Sequence, residues 1–229
     1  MRLLLIRHGQ TPSNVAGALD TARPGAGLTA LGHAQAAAIP DVLGTERLDG
    51  LHASVLTRTQ LTAQPLAAAR GLDIVVREGL EEISAGAFEM QSHAEAVHAY
   101  IESGLRWAGG DLHHSVDGGE TGAAFFDRFD AAIAEIADTN DAAAVVSHGA
   151  AIRVWASTRA VNVASEEAVQ RRLMNTGMCV LEGDPDSGWL LQRWHEEPLG
   201  GIELEDRFAQ DVTGEPEEAD AVIAEDSRR

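Results

Sequence analysis

Short uninterrupted apolar runs alternate along the chain with longer stretches in which apolar residues recur at helical spacing. Such runs are typical of strands that are buried on both faces, as in parallel sheets, and the longer stretches predict helices. Predicted strands cover residues 2–6, 51–54, 72–76, 143–147, 177–182 and 189–194, and predicted helices cover about 29–44, 57–70, 92–105, 120–138, 149–158 and 165–173. This alternation predicts a three-layer α/β/α domain with a mainly parallel central sheet.

Two prolines fall inside predicted helices, Pro40 in the first and Pro65 in the second. Proline lacks the backbone N–H that an interior helix position donates, and its ring collides with the preceding turn. We therefore expect each proline to end or kink its helix.

The composition favours a single domain followed by an acidic tail. The chain has 229 residues, of which 45% are hydrophobic, which is enough for one substantial core. Its 36 acidic residues outnumber 17 basic ones, all arginine, for a net charge of −19. That balance argues against a nucleic-acid partner. Residues 205–229 carry part of the acidic excess and few apolar residues, so we expect a domain over residues 1–204 and a mobile tail from about 205.

Nothing in the apolar pattern predicts a membrane partner. The apolar runs are far shorter than a membrane span, and the opening residues lack the apolar length and cleavage site of a signal peptide. We expect a cytoplasmic protein. The only cysteine, Cys179, lies in a predicted strand, so no internal disulfide can form.

Two of the predicted strands end in a histidine that is followed by a glycine. The first reads Arg7-His8-Gly9 and the second Ser147-His148-Gly149. Open α/β sheets build their ligand sites at the carboxyl ends of parallel strands, so the two imidazoles should share one pocket. Because Arg7 precedes His8, the expected ligand is a small anion.

Further polar residues follow other strands at the same predicted edge. Arg58 stands where the second strand gives way to a helix, Glu81 and Glu82 follow the third strand, and Glu120 opens the helix predicted from residue 120. Two arginines, two histidines and a carboxylic acid suffice for phosphoryl transfer through a phosphohistidine, without a metal.

A zinc site formed by the remaining histidines is disfavoured. His93 and His98 are five residues apart, so they do not share a helix face, and no thiolate accompanies them or His113 and His114.

The order of the motifs resembles the histidine phosphatase superfamily, also called the phosphoglycerate mutase-like family, over about residues 2–195. The matching positions are Arg7-His8-Gly9 with Gln10 and Thr11, Asn14, Leu28-Thr29 with Gly32 and Gln35, Ser54-Leu56-Arg58-Thr62, Leu80 with Glu82, Gly118-Gly119-Glu120, and Ser147-His148-Gly149. The chain departs from the family pattern where Met90 follows Phe88-Glu89 and where Ser84-Ala85 replace a polar and an aromatic residue.

The resemblance implies a phosphoglycerate mutase-like fold and a role for each matching residue. His8 is then the nucleophile, Glu82 is the proton donor, and Arg7, Arg58 and His148 complete the phosphate pocket. Substrate contacts are implied for the small or polar residues Gln10, Thr11, Asn14 and Gly149. The implied substrate is a small phosphorylated metabolite, with neither cofactor nor metal.

Several alternatives stay open at this point. Glu81 competes with Glu82 as the proton donor, and Asn14 could instead hydrogen-bond within its own loop. The main hypothesis is a phosphatase, because residues 83–117 hold a single cation, Arg106, where the mutases of the family hold many. A phosphoglycerate mutase and a non-catalytic protein that binds phosphorylated ligands are the alternatives. A homodimer is also open.

Overall fold

A six-stranded sheet lies between two layers of helices. The computed structural model describes residues 1–214, and none of the helices there is long and apolar enough to cross a membrane. The strands are β1 Arg2–Arg7, β2 Gly50–Ser54, β3 Ile74–Arg77, β4 Ala142–Ser147, β5 Met178–Asp184 and β6 Gly188–His195. The helices are α1 Pro12–Ala16, α2 Ala30–Val42, α3 Thr57–Arg70, α4 Ala94–Ala108, α5 Gly122–Ala137, α6 Gly149–Arg159 and α7 Ser165–Ala168. The predicted mainly parallel α/β fold is confirmed.

The sheet has β1 and β4 at its centre. The strand order is β3, β2, β4, β1, β5, β6. The first four run parallel to one another, whereas β5 is antiparallel to β1 and β6 is antiparallel to β5. In the β1–β4 pair, Arg2 stands opposite Ala142 and Arg7 opposite Ser147. The residues that follow these two strands therefore leave the sheet at the same edge.

The sequence of β1 explains its central place. Leu3, Leu4, Leu5 and Ile6 are all fully buried, and successive side chains of a strand face opposite sides of the sheet. Leu3 and Leu5 join the core beneath α4, α5 and α6, and Leu4 and Ile6 join the core beneath α2 and α3. Each such side chain contributes roughly 1.5–3 kcal/mol by leaving water, so both layers of helices are held by this strand.

The helix predicted from residue 120 begins two residues later. Thr121 caps α5, since its hydroxyl accepts a hydrogen bond from the N–H of Ala124 at 3.3 Å. A threonine in this place satisfies a donor that the first helical turn leaves unpaired. Glu120 consequently precedes the helix, and its carboxylate is held by Arg128 and by the N–H of Ser84.

Pro65 does not end its helix, contrary to that part of the prediction. α3 continues to Arg70, because Ala63 and Leu66 on either side of the proline are buried in the core beneath α2 and α3. Tertiary packing here outweighs the local cost of a missing helix hydrogen bond, about 3 kcal/mol. Pro40 lies two residues before the last residue of α2.

Two short helices differ from the prediction. α1 was not predicted, although Pro12 at its first position and the reciprocal bonds between Thr11 and Asn14 are a helix-start signal. α7 covers only Ser165–Ala168 of the predicted 165–173. After Ala168 the chain forms turns, in which Gln170 is bonded to Glu167 and Arg171 to Ala168, and the N–H of Leu173 then donates to the carbonyl of Gly214 at 2.8 Å.

Candidate active site

Two histidines lie side by side at the carboxyl edge of the sheet. His8 follows β1 and His148 follows β4, so the pairing of these strands brings the histidines together. Their ring centroids are 5.3 Å apart and their ring planes are inclined by 62°. Both side chains are buried. The structure thus places the two predicted imidazoles next to each other.

The two ring nitrogens of His8 differ: Nδ1 is held by a hydrogen bond, and Nε2 is the nitrogen that can react. Nδ1 lies 2.8 Å from the carbonyl oxygen of Gly9, and because a carbonyl can only accept, Nδ1 carries the proton. Burial, followed by the positive charges of Arg58 and Arg7, holds the pKa of His8 well below its usual value. The ring is therefore neutral at pH 7, and Nε2 has the lone pair that a nucleophile needs.

His148 is tied to the neighbouring strand through Ser54. Its Nε2 lies 2.9 Å from the Ser54 hydroxyl, and burial together with Arg58 keeps its pKa well below the usual value. Nδ1 is buried and has no hydrogen-bond partner within residues 1–214. When the serine donates to Nε2, Nδ1 carries the proton and is a donor available to an anion.

Arg58 is a buried cation that does not use all of its hydrogen-bond donors within the described chain. It stands in the first turn of α3 and is 3% exposed. Nη2 donates to the backbone carbonyl of Asp20 at 2.8 Å, and Nη1 lies 3.8 Å from the Asp20 carboxylate. Within the described chain its Nε and Nη1 have no hydrogen-bond partner. A buried cation of this kind needs a nearby anion. The Asp20 carboxylate is one such anion, and no sequence motif had indicated it.

Glu82 lies at the start of α6, beside the same cavity. Oε1 accepts from the N–H groups of Ile83 and Ala151, at 2.9 and 2.8 Å, and Oε2 accepts from that of Ala150 at 3.2 Å. The first N–H groups of a helix have no partner within the helix, so a carboxylate fits there. Glu82 lines a small cavity together with His8 and Arg58.

Glu81 has a different environment from Glu82. Its carboxylate pairs with Arg23 and lines a wider cleft of about 610 Å³ that also includes Glu82, Arg128 and Gly119. Glu82 therefore borders both the small cavity that contains His8 and the wider cleft, whereas Glu81 borders the cleft. A carboxyl group in the position of Glu82 can therefore reach a group bound in the small cavity and a group bound in the cleft.

Arg128 holds the loop that carries both glutamates. Its Nη1 donates to the carbonyls of Gly79 and Glu81, at 2.8 and 2.9 Å, and its Nη2 donates to that of Glu82 at 3.1 Å. The same guanidinium is paired with Glu120 at 2.6 Å. Sequence analysis missed this residue, because a single arginine on a helix surface gives no sign of the loop it contacts.

Arg7 is engaged by residues near the end of the described chain. It is fully buried, and its Nη2 lies 2.6 Å from the Asp211 carboxylate and 3.0 Å from the Thr213 hydroxyl. Its Nη1 donates to the carbonyl of Leu173 at 2.8 Å.

The domain boundary at residue 204 and the mobility of the tail stay predictions, and residues 215–229 lie outside the described residues. Asp211 and Thr213 nevertheless contact the site.

Two of the predicted substrate contacts, Thr11 and Asn14, line the small cavity. The Asn14 side-chain oxygen accepts the N–H of Thr11 at 2.9 Å, which is the bond within its own loop that was the alternative interpretation. Its amide nitrogen donates to Asp211 at 3.1 Å. Asn14 therefore has a local structural role and also presents its donor to an anion.

The other two predicted contacts have structural roles in this conformation. The Gln10 amide donates to Asp206 at 3.0 Å, and its oxygen accepts from Thr29 at 2.8 Å. Gly149 begins α6, and a Cβ there would lie 2.9 Å from Arg7 Nε and 2.8 Å from the carbonyl oxygen of Thr213. Glycine is required at this position because the Arg7 side chain passes so close to the backbone.

Within residues 1–214, no group of three or more His, Cys, Asp and Glu side chains is placed to hold a metal ion. His93 instead caps α4 and His114 lies 3.1 Å from the Ser103 hydroxyl.

The chain belongs to the histidine phosphatase superfamily (branch 1), whose family model matches residues 3–197. Proteins named as phosphatases and as probable phosphoglycerate mutases are both among its relatives.

Three similar proteins illustrate this kinship. The PE-PGRS family protein PE_PGRS11 of Mycobacterium tuberculosis is 35% identical over 90% of this chain, and the match spans 38% of the length of that relative. Phosphoserine phosphatase 1 of Hydrogenobacter thermophilus is 30% identical over 67% of this chain and 73% of its own. The solved structure of a mycobacterial glucosyl-3-phosphoglycerate phosphatase superimposes with a TM-score of 0.72 at 26% identity, over 86% of this chain and 99% of that one.

Proposed function

We propose that this protein is a phosphatase that hydrolyses small phosphate monoesters through a phosphohistidine on His8. The observation that carries the proposal is the His8 ring, with Nδ1 hydrogen-bonded to the Gly9 carbonyl, in one small cavity with Arg58 and Glu82. The relatives named as phosphatases support it. The substrate class we propose is a small phosphorylated metabolite whose alcohol part lies in the wider cleft beside Glu82.

In the first step, His8 displaces the alcohol from phosphorus. The Nε2 lone pair forms the P–N bond as the ester P–O bond breaks, and Glu82 in its protonated form gives its proton to the departing oxygen. Arg58, Arg7 and the donor on His148 hold the phosphoryl oxygens while charge redistributes among them. The products of this step are a free alcohol and phosphorylated His8.

In the second step, water takes the place of the alcohol. The Glu82 carboxylate accepts a proton from the water as its oxygen attacks phosphorus, and the P–N bond breaks. His8 is again neutral, Glu82 is again protonated and inorganic phosphate is released. One carboxyl group thus serves as acid and then as base, which requires that it border both the cavity and the cleft.

The covalent intermediate is the direct test of the proposal. A brief reaction with ³²P-labelled p-nitrophenyl phosphate, quenched in base, should leave label on His8 that is stable to alkali and lost in acid. Turnover should persist in excess EDTA, because arginines supply the positive charge in the proposed mechanism. The His8→Ala variant, compared on the same ester, should carry no label and lose turnover.

Label on a serine, or activity abolished by EDTA, would contradict the phosphohistidine mechanism. Binding of phosphate with no turnover by the unaltered protein would show instead that the chain is a non-catalytic phospho-ligand-binding protein.

The choice of Glu82 as the proton donor predicts a dependence on the leaving group. Glu82→Gln should slow hydrolysis of alkyl phosphates by about 10²–10⁴-fold, and hydrolysis of p-nitrophenyl phosphate much less, because a nitrophenolate departs without a proton. Glu81→Gln is the matched control, since its carboxylate is paired with Arg23 in the cleft. Ratios of kcat/KM for the two substrates measure the effect. A larger loss in the Glu81 variant, or equal losses on both substrates, would reverse the assignment.

The cleft does not favour the mutase alternative. A mutase must hold the second acidic group of its substrate until the phosphoryl group returns. The single cation of residues 83–117, Arg106, is exposed and paired with Asp111 at 2.5 Å. The cleft arginines Arg23 and Arg128 are themselves paired with glutamates. Capture of a carboxylate should therefore be weak, and water should reach the phosphorylated histidine first.

A direct competition separates the two activities. With 2,3-bisphosphoglycerate supplied to phosphorylate His8, we expect phosphate release from several monoesters and negligible interconversion of 3- and 2-phosphoglycerate. The ratio of isomerisation to hydrolysis, followed by NMR, is the measurement. Isomerisation at least tenfold faster than hydrolysis would establish the mutase instead.

A further inference from the structure

A second cavity lies behind the loop that carries Glu82. Its volume is about 130 Å³, and it is enclosed by α4, α6, the residues after α7 and Ile83. The walls are largely apolar and include Ile101, Leu105, Val154 and Val169. Its size is close to the roughly 150 Å³ of an engineered protein cavity that takes up benzene.

One wall of this cavity carries a buried cation. Arg153 on α6 is 4% exposed, and within the described chain its hydrogen bond is the one from Nη1 to the carbonyl of Val169 at 3.1 Å. Its Nε is buried there without a partner. Burial lowers the pKa of Arg153 to about 10, so it is still charged at neutral pH. The Glu82 carboxylate acts on this cation electrostatically, but no carboxylate of residues 1–214 is hydrogen-bonded to it. A buried guanidinium normally has a bonded carboxylate or several acceptors.

We propose that this cavity binds a small organic carboxylate, with its apolar body against α4 and its carboxylate on Arg153. An apolar cavity with one convergent charged group is the usual form of a small-ligand site, in which apolar contact supplies affinity and the charge selects the ligand. The planar fork of arginine matches a carboxylate in particular. Leu105 and Gln170, both exposed, stand at the rim.

The site is separate from the phosphate cavity but adjoins the proton donor. The cavity around Arg153 and the one around His8 share no lining residue. Ile83, which follows Glu82, and Ala150, which donates to it, both line the carboxylate site. A ligand here can therefore bind together with phosphate, and it would contact the segments that hold Glu82.

Benzoate is the probe for this site, and benzyl alcohol is the uncharged ligand of nearly the same shape. By titration calorimetry, benzoate should bind the whole protein at least tenfold more tightly than benzyl alcohol. Arg153→Met should lose at least tenfold in benzoate affinity, whereas Arg159→Met, the same change on the same helix where Asp130 pairs with the cation, should keep it. Saturating inorganic phosphate should leave benzoate affinity within about threefold.

Three results would overturn the carboxylate site. They are no binding of benzoate, equal affinity for benzoate in the Arg153→Met variant, and displacement of benzoate by phosphate, which would place it in the phosphate cavity. If the Arg153 variant does not fold, the comparison of benzoate with benzyl alcohol on the unaltered protein decides whether the charge matters.

A different observation carries a second inference, which concerns Asp211. Its Oδ1 accepts hydrogen bonds from Arg7 and from Asn14, at 2.6 and 3.1 Å. Arg7 and Asn14 are two of the residues expected to bind the phosphate. Thr213 closes the same cavity, of which about 10 Å³ remains open. That is the space of one water molecule, so a phosphoryl group does not fit while the segment that carries Asp211 and Thr213 is in place.

We infer that the Asp211 carboxylate is an internal competitor for the phosphate site, and that phosphate binds only when it withdraws from Arg7. This inference rests on the proposed function, because it takes the cavity around His8 to be the phosphate site. Asp211→Asn removes the charge and keeps the shape. It should tighten the binding of inorganic phosphate about tenfold, the equivalent of one charge-assisted hydrogen bond. Asp206→Asn is the matched control, since Asp206 is bonded to Gln10.

Hydrogen exchange of the unaltered protein gives an independent measurement. Saturating phosphate should speed the exchange of residues 211–214, because the segment is released. Unchanged or weaker phosphate binding in the Asp211→Asn variant, or slower exchange with phosphate, would show that Asp211 positions Arg7 and does not compete. Binding of phosphate by neither protein would instead refute the phosphate site itself.

Discussion

The parallel pairing of β1 with β4 is the constraint on which the rest of the site depends. Its register sets Arg7 opposite Ser147, so the next residue on each strand, His8 and His148, leaves the sheet at the same level. Apolar side chains on both faces of β1 hold that register, because a slip of one residue would turn every buried leucine to the opposite core. The geometry of the histidines is thus fixed by hydrophobic burial far from them.

A second feature of the structure is that several positive charges are buried. The guanidinium groups of Arg7, Arg58 and Arg153 are nearly inaccessible to solvent in a chain whose net charge is −19. The excess of surface carboxylates stabilises these buried cations little, since exposed charges are screened beyond about 8 Å at physiological salt. Each cation depends on near neighbours, such as Asp20 for Arg58 and Asp211 for Arg7. An anion that binds at these cations is therefore stabilised mainly by close contact with them.

Glu82, the proposed proton donor, is held by two helices at once. The first turn of α6 supplies N–H groups to the Glu82 carboxylate, and Arg128 of α5 binds the carbonyls of the loop that carries it. Ser147 adds a hydrogen bond from its hydroxyl to the Leu80 carbonyl at 2.8 Å, which links that loop to the end of β4. The loop is irregular in structure, yet its position is determined by elements of the central fold. This explains how a short loop can place a carboxyl group beside His8.

The sequence by itself determined the strands, the order of layers and the residues that follow β1 and β4, because these depend on local apolar periodicity and on the general rule that parallel strands share an edge. It also indicated His8, His148, Arg58 and Glu82, whose motifs are local. Only the tertiary structure decided which groups from distant segments contact them: Asp20 contacts Arg58, Arg128 binds the loop that carries Glu82, and Asp211 contacts Arg7. These partners come from segments far apart in the chain, and no periodicity or spacing encodes a contact that long-range packing creates.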